Sequence, residues 1–372
     1  MTPVALPSFE IHGFRAFEHL KLEKLGQVNL FVGKNNVGKT SLLEALWVYA
    51  NQGAPSILLS LLEGRDEGEP ISELRPIEED IKSLMGSVSS LFYGRNLFNA
   101  DLKNPWLQLG PLDNPAQSLC IKFLWVIETV NDKGTRYTSE AKTLDDLAGA
   151  LPGLQIGYGE STSIAGFDRL FARSTHAIST KTERKCIFLP ASGLSNSEIG
   201  RYWDNITLGT LENDVLEALR IVESGIERVN LVGSQNSTHY RERTPIVKLN
   251  SFDVPLPLRS LGEGMNHIFS IALALVNAKG GLLLLDEIES GLHYSILPEM
   301  WRFIFQAAQR LNVQVFATTH SWDCITGFQQ AAQESAQDGM MIRLMNKKGK
   351  IIPTFFDEKD LSIATREQIE VR

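Results

Sequence analysis

A chain of 372 residues, 43% hydrophobic and 22% charged, has the composition of an ordinary globular protein, long enough for one large core or two medium ones. Its formal net charge of −8 excludes a protein that coats nucleic acid through its whole surface, although one basic groove on an acidic body stays open. No apolar run approaches the roughly 18 residues of a membrane-spanning helix, and Cys120, Cys186 and Cys324 show no C-x-x-C spacing, so neither a disulfide framework nor a zinc knuckle is expected.

The opening MTPVALPSFEIHGF has no basic start followed by an apolar core, which sets the expectation of no signal peptide and a reducing, cytoplasmic setting. Residues 7–32 alternate short apolar runs with turns and predict two or three strands leading into a buried one at Val28–Val32. Residues 40–50 then show helical spacing through Leu42, Leu43, Leu46 and Trp47. From about 51 to 185 the character changes: 63–80 is polar and acidic, 94–115 is rich in Gly, Pro and Asn, and Cys120–Ile127 and Thr135–Ala141 alternate like strands. This stretch reads as an inserted lobe, a small sheet with long loops. Further on, a strand is expected at Cys186–Leu189, a helix near Asn213–Val222, and strands at Arg228–Val232 and Ile246–Leu249.

Beyond 258 the pattern turns strongly α/β. A glycine-bounded loop at 260–264 opens a helix through Ile268–Val276. Leu282–Leu285 follows, apolar at every residue as a strand buried on both faces should be. A helix at about 294–311 and a strand at Val313–Ala317 complete the series.

Four motifs carry chemistry. Gly33-Lys34-Asn35-Asn36-Val37-Gly38-Lys39-Thr40, followed by Ser41, matches G-x-x-x-x-G-K-[ST] between a buried strand and an amphipathic helix. Backbone N–H groups that converge on a phosphate chain need glycine where a Cβ would block the turn, and the helix offers its positive end to the anion. These residues are therefore expected to hold ATP, with Lys39 reaching the β- and γ-phosphates and the Thr40 hydroxyl on Mg²⁺. Asp286-Glu287, at the C-terminal end of a buried strand, stands where ligands bind in open α/β sheets. Asp286 is expected to hold the metal, and Glu287 to orient and deprotonate the attacking water.

Third, His320 lies one step past the strand Val313–Ala317, on the same sheet edge, in reach of a γ-phosphate. Fourth, Ser260, Gly262 and Gly264 form a second anion-binding loop at a helix N-terminus. One nucleotide is not easily held by two such loops on one globule, so its natural use is in trans, on the γ-phosphate of another protomer. The plain alternative is a turn with Ser260 as N-cap.

Together and in this order the motifs resemble the ABC-type ATPase heads of the SMC/RecF class, and within it the ATPase half of overcoming-lysogenization-defect (OLD) nucleases and their nuclease-lacking relatives. The likeness covers about 9–50 and 255–325: Phe9-Glu10-Ile11 with Gly13–Phe17, Gly33–Thr40, Ser260–Gly264, Asp286–His293 and Thr318–Ser321. It implies an α/β P-loop NTPase head with a mostly parallel sheet and an antiparallel N-terminal sub-sheet. The head is expected from 1–50 and 186–350, with an inserted α+β lobe at 51–185 and a C-terminal tail at 351–372. The resemblance further implies an ATPase that pairs around ATP as a homodimer or higher assembly, with Ser290–His293 crossing the interface. It also implies an effector protein partner, a nuclease or toxin, in bacterial anti-phage or anti-plasmid defence.

Some features depart from those families. Ser-Leu-Gly-Glu-Gly is not the Leu-Ser-Gly-Gly-Gln of transporter ATPases, no long coiled coil with a zinc hook lies between the halves, and no Asp-x-Asp of a TOPRIM nuclease occurs. A nucleotide-gated scaffold that sequesters an effector, or a RecF-like repair ATPase, are the alternative readings. Asn346-Lys347-Lys348-Gly349 lacks the aspartate of a guanine-reading loop. The clusters Arg173, Lys181, Arg184, Lys185 and Arg241, Arg243 are candidates for DNA contact, or simply a solvated face.

Overall fold

The computed structural model describes residues 4–67, 77–95, 97, 105–130, 136–142, 144–147, 149–170, 185–233, 243–335 and 339–356. The chain begins with the hairpin β1 (Phe9–Phe14) and β2 (Phe17–Leu22), then β3 (Val28–Val32), α1 (Lys39–Ala50), α2 (Pro55–Glu63) and α3 (Ile77–Ser89). Next come β4 (Trp106–Gly110), β5 (Leu119–Val130), β6 (Arg136–Glu140), α4 (Leu144–Leu147), β7 (Leu151–Tyr158), β8 (Ser161–Gly166) and α5 (Phe167–Leu170). The following stretch holds β9 (Cys186–Leu189), α6 (Asn196–Asp204), α7 (Leu211–Arg220), β10 (Ile226–Gly233), β11 (Arg243–Leu249) and β12 (Leu256–Pro257). The last comprises α8 (Glu263–Asn277), β13 (Leu282–Leu285), α9 (Leu297–Leu311), β14 (Gln314–Thr318), α10 (Trp322–Glu334), β15 (Gly339–Lys347) and β16 (Lys350–Phe356).

One sheet runs β16-β15-β3-β14-β13-β9, parallel except for the antiparallel edge strand β16. The two ends of the chain thus meet in it, since β3 lies between β14 and β15. Side chains on its strands alternate between two cores. Val28, Leu30, Leu283, Leu285, Val315 and Ala317 pack with α8, α9 and α10 on one face. Phe31, Leu282, Leu284 and Phe316 pack with α1 and with Phe9, Ile11 and Leu20 on the other. This double demand is why Leu282–Leu285 has no polar position; each side chain is at most 1% exposed, and each such burial stabilises by about 1.5–3 kcal/mol. The N-terminal segment is fastened by the buried amide of Gln314, whose Oε1 accepts from Leu6 N (2.9 Å) while Nε2 donates to Leu6 O (2.8 Å) and Gly26 O (3.0 Å).

The second sheet is antiparallel, in the order β2-β1-β4-β5-β7-β8, with β6 on β5. The strands of 51–185 therefore extend the N-terminal hairpin rather than forming a sheet of their own, and His12 pairs with Gln108 across the join. Residues 351–356, set apart from the head as a tail in the sequence reading, form most of β16 and close the edge of the parallel sheet. Pro353 is tolerated there because an edge strand leaves one row of donors unused. β10, β11 and β12 make a third, three-stranded sheet. No helix among the described residues is long and apolar enough to cross a membrane.

Candidate active site

The phosphate loop joins β3 to α1. Gly33 has φ 149°, Asn36 φ 65° and Gly38 φ 87°. A Cβ at Gly33 would meet Leu344 O at 2.5 Å, and one at Gly38 would meet the Phe17 ring at 2.9 Å, so both conformation and space require glycine. Lys34 and Asn35 are exposed and Val37 is buried. Lys39 folds back over the loop, its Nζ donating to Gly33 O (2.8 Å) and Lys34 O (3.1 Å). Burial pushes the Lys39 ammonium below the ordinary lysine value, against the pull of Glu287, Asp286 and Glu289. Those carboxylates come from the other end of the chain, and they share this site.

The Thr40 hydroxyl lies 3.0 Å from Asp286 Oδ2 and 3.2 Å from Oδ1, across 246 residues of sequence. Two hard oxygen donors about 2.9 Å apart are what neighbouring positions of an octahedral Mg²⁺ at about 2.0–2.1 Å require, so this pair fits that ion. Asp286 is itself held by Thr318, whose Oγ1 donates to Oδ1 at 2.6 Å and accepts from Glu287 N at 2.9 Å. Thr318 is fully buried at the end of β14. Glu287 sits in the left-handed region, φ 47°. A non-glycine residue there is strained, a pattern that clusters at functional sites. Its carboxylate is 46% exposed and lies 3.9 Å from His320 Nδ1.

Glu289 is a site residue that the sequence reading passed over. Its side chain is only 10% exposed, its Oε1 accepts from His320 N (3.0 Å) and stands 3.2 Å from His320 Nδ1. Glu289 thereby fixes the backbone and ring of His320 next to Glu287. Thr318 was likewise missed as a contributor. A threonine ending a strand and an acid two residues past Glu287 are the only local signals, and both are common without function.

Ser41, expected beside the nucleotide, is buried behind the loop, where Arg65 Nη2 donates to its hydroxyl at 3.4 Å. It adjoins an ionic cluster, buried at Arg15 and Glu44 and open to solvent at Arg95, that fastens α1. Arg15 Nε pairs with Glu44 Oε2 (2.9 Å), Arg15 Nη1 with Glu67 Oε2 (2.7 Å), Arg65 Nε with Glu44 Oε1 (2.7 Å) and Arg95 Nη2 with Glu67 Oε1 (2.7 Å). Arg15 and Glu44 are nearly buried. Removing one partner of such a pair costs about 3–5 kcal/mol by stranding the other charge.

The Ser260–Gly264 segment leads into α8. Gly262 (φ 102°) is the N-cap of α8 without a side-chain cap, so Ser260 does not cap the helix. Ser260 and Gly262 are exposed, and Gly264 packs so closely on Gly291 that a Cβ would meet its carbonyl at 2.7 Å. The loop after Asp286-Glu287 thus touches the Ser260–Gly264 segment. A second tie runs one turn along α8, where His267 Nε2 donates to Ile288 O at 3.1 Å.

Burial pushes His267 below the usual histidine value, the bond to Ile288 working against it. A histidine with a depressed folded-state pKa contributes stability that is present above its unfolded value and lost as pH falls below it. Acidification from about pH 7.5 to about pH 5.5 is therefore expected to lower the Tm of the wild type more than that of His267→Gln. Scanning calorimetry reads this, and equal shifts contradict it.

The remaining sequence candidates resolve simply. Asn346 and Lys347 end β15, and Lys348 (φ 54°) with Gly349 (φ 85°) makes the β15–β16 turn, Asn346 Oδ1 accepting from Gly349 N. Arg173, Lys181, Arg184 and Arg241 lie outside the described residues. Arg243 pairs with Asp204.

Residues 5–90, which hold the phosphate loop, match the family described as "AAA ATPase domain", and residues 214–323, which hold Asp286 to His320, match "AAA domain, putative AbiEii toxin, Type IV TA system". A Helicobacter pylori protein named "ATP/GTP phosphatase" is 24% identical over 385 residues, covering 95% of this chain and 96% of its own length. The DNA replication and repair protein RecF of Lactobacillus johnsonii is 49% identical over 45 residues, 12% of each chain. Among solved structures, an SMC head bound to the C-winged helix domain of ScpA superposes with TM-score 0.49 at 10% identity over 95% of this chain and 98% of its own. The SMC head domain from Thermotoga maritima gives 0.43 at 12% identity, over 95% and 99%. The chain carries P-loop ATPase domains of the AAA type on an α/β fold and is an ATP hydrolase.

Proposed function

We propose that this ATPase is a nucleotide-driven switch: two copies close around MgATP, and hydrolysis reopens them and passes the change to a bound partner. The observation that carries the reading is the exposed, uncapped N-terminus of α8 beside Gly291. The free N–H groups of a helix end attract anions. The contacts of this one are with the loop after Glu287, leaving its outer side for a γ-phosphate held by another copy. Tyr294, at 63% exposure, stands on the same loop.

In the closed state the amides of Gly33–Lys39 would surround the triphosphate, and Lys39 would exchange its bonds to Gly33 O and Lys34 O for phosphate oxygens. Thr40 and Asp286 would hold Mg²⁺, which when bound neutralises charge on the phosphates. Glu287 accepts a proton from the attacking water, and His320, braced by Glu289, contacts the γ-phosphate. The toxin–antitoxin wording of the match over 214–323 supports an effector protein as the partner and a setting in bacterial defence. The name of the Helicobacter pylori relative makes GTP a substrate to assay beside ATP.

The test is the mass in solution of Glu287→Gln with and without ATP and Mg²⁺. Doubling with ATP, abolished by Ser260→Arg while ATP binding persists, is the expected result. A mass indifferent to nucleotide overturns the switch.

A further inference from the structure

The β1–β2 ladder carries a second set of ligating side chains, separate from the phosphate loop. His12 and His19 are Cα partners across the two strands. Their imidazoles stack with centroids 3.8 Å apart and planes 16° from parallel. Glu10, two residues before His12, projects from the same face. Its Oε1 lies 2.7 Å from His19 Nε2 and 3.3 Å from His12 Nε2. One donor atom from each residue lies within 4.8 Å of the other two.

Two imidazole nitrogens and one carboxylate oxygen are a donor set of borderline softness. Around a tetrahedral ion with bonds of about 2.0–2.1 Å, neighbouring ligand atoms stand about 3.3–3.4 Å apart. The Glu10–His12 separation already has that value, and the ladder register holds the two histidines opposite each other. Lys21 Nζ, 3.4 Å from Glu10 Oε1, is the competing partner of the carboxylate. That pair is half-exposed on the lysine side, where an ion pair contributes only about 0–1 kcal/mol. It offers little resistance to a metal.

We propose that Glu10, His12 and His19 bind one divalent transition-metal ion, Zn²⁺ by chemistry, leaving a fourth coordination position open. Mg²⁺ prefers an all-oxygen octahedron and stays at Thr40 and Asp286, so the two sites sort by ligand type. The bound ion would cross-link β1 to β2. The turn between those strands carries Arg15, paired with Glu44 of α1, and Phe17 follows it against Gly38. A clamp here therefore stiffens the hairpin that buttresses the phosphate loop.

Cys120 provides an internal control. His12 is opposite Gln108 and Gln108 is opposite Cys120, which places the thiol two strands away, about 9–10 Å, outside the coordination shell.

The experiment is calorimetric titration of Zn²⁺ into untagged, chelator-stripped full-length protein in excess Mg²⁺. The expected result is one Zn²⁺ per chain with micromolar or tighter Kd. His19→Ala, at an exposed position, and His12→Ala with His19→Ala are expected to weaken it at least tenfold with the thermal melt retained. Cys120→Ser is expected to leave it unchanged. A wild type that takes up no Zn²⁺, a double histidine variant that binds as the wild type does, or a loss of binding in Cys120→Ser each overturns the site.

Discussion

Glu287→Gln is expected to reduce ATP turnover by roughly 10²–10⁴-fold, the usual contribution of a positioned general base, while leaving ATP binding intact. The carboxylate stands at the end of β13, 46% exposed and 3.9 Å from His320 Nδ1. It is far enough into solvent to meet a water and close enough to His320, the proposed γ-phosphate contact, to aim it. An amide keeps the shape and loses the proton acceptor. The residues proposed to grip the triphosphate are elsewhere, on the loop Gly33–Thr40, so affinity for a fluorescent ATP analogue should not fall. Phosphate release measured beside that binding checks both halves. Wild-type turnover in the variant assigns the base to another residue.

Lys39→Ala has the complementary signature, a loss of binding. Its ammonium is half-buried in the field of Glu287, Asp286 and Glu289 and, among the described residues, bonds loop carbonyls, Gly33 O and Lys34 O. Stranding phosphate charge without its cation costs about 2–5 kcal/mol, which is roughly 30- to 4,000-fold in Kd. The variant should fold as the wild type does, because the core side chains of α1 are Leu42, Leu43, Ala45 and Leu46, not Lys39. Unchanged ATP affinity with an unchanged melting curve would remove Lys39 from the site.

Where the sequence carried its structure locally, it was readable. Leu282–Leu285 announces a strand between two cores because both faces demand apolar residues, and the loop Gly33–Thr40 announces itself because phosphate chemistry fixes its glycines. Motif order suggested that the two ends of the chain meet, and β3 does lie between β14 and β15. The antiparallel sheet was not legible in the same way. β4 is five residues in a Gly- and Pro-rich stretch, and β7 and β8 carry Gly153, Gly157 and Gly166, residues that usually mark turns. What places those strands is pairing across long sequence separations, such as His12 with Gln108, to which local periodicity is blind. The same holds within the site. Asp286 and Glu287 were evident from their strand, but Glu289 and Thr318 act only through what they touch in space. Nothing local marks Arg15 either; its 4% side-chain exposure and its pairing with Glu44 make it a brace of α1.

The measurement that bears most directly on the central claim is a crystal structure of Glu287→Gln grown with ATP and Mg²⁺. The expected result is a single triphosphate with Lys39 Nζ on its β- and γ-phosphates and one metal shared by Thr40 Oγ1 and Asp286. A triphosphate seated away from Gly33–Thr40, or a metal held without either Thr40 or Asp286, would contradict it.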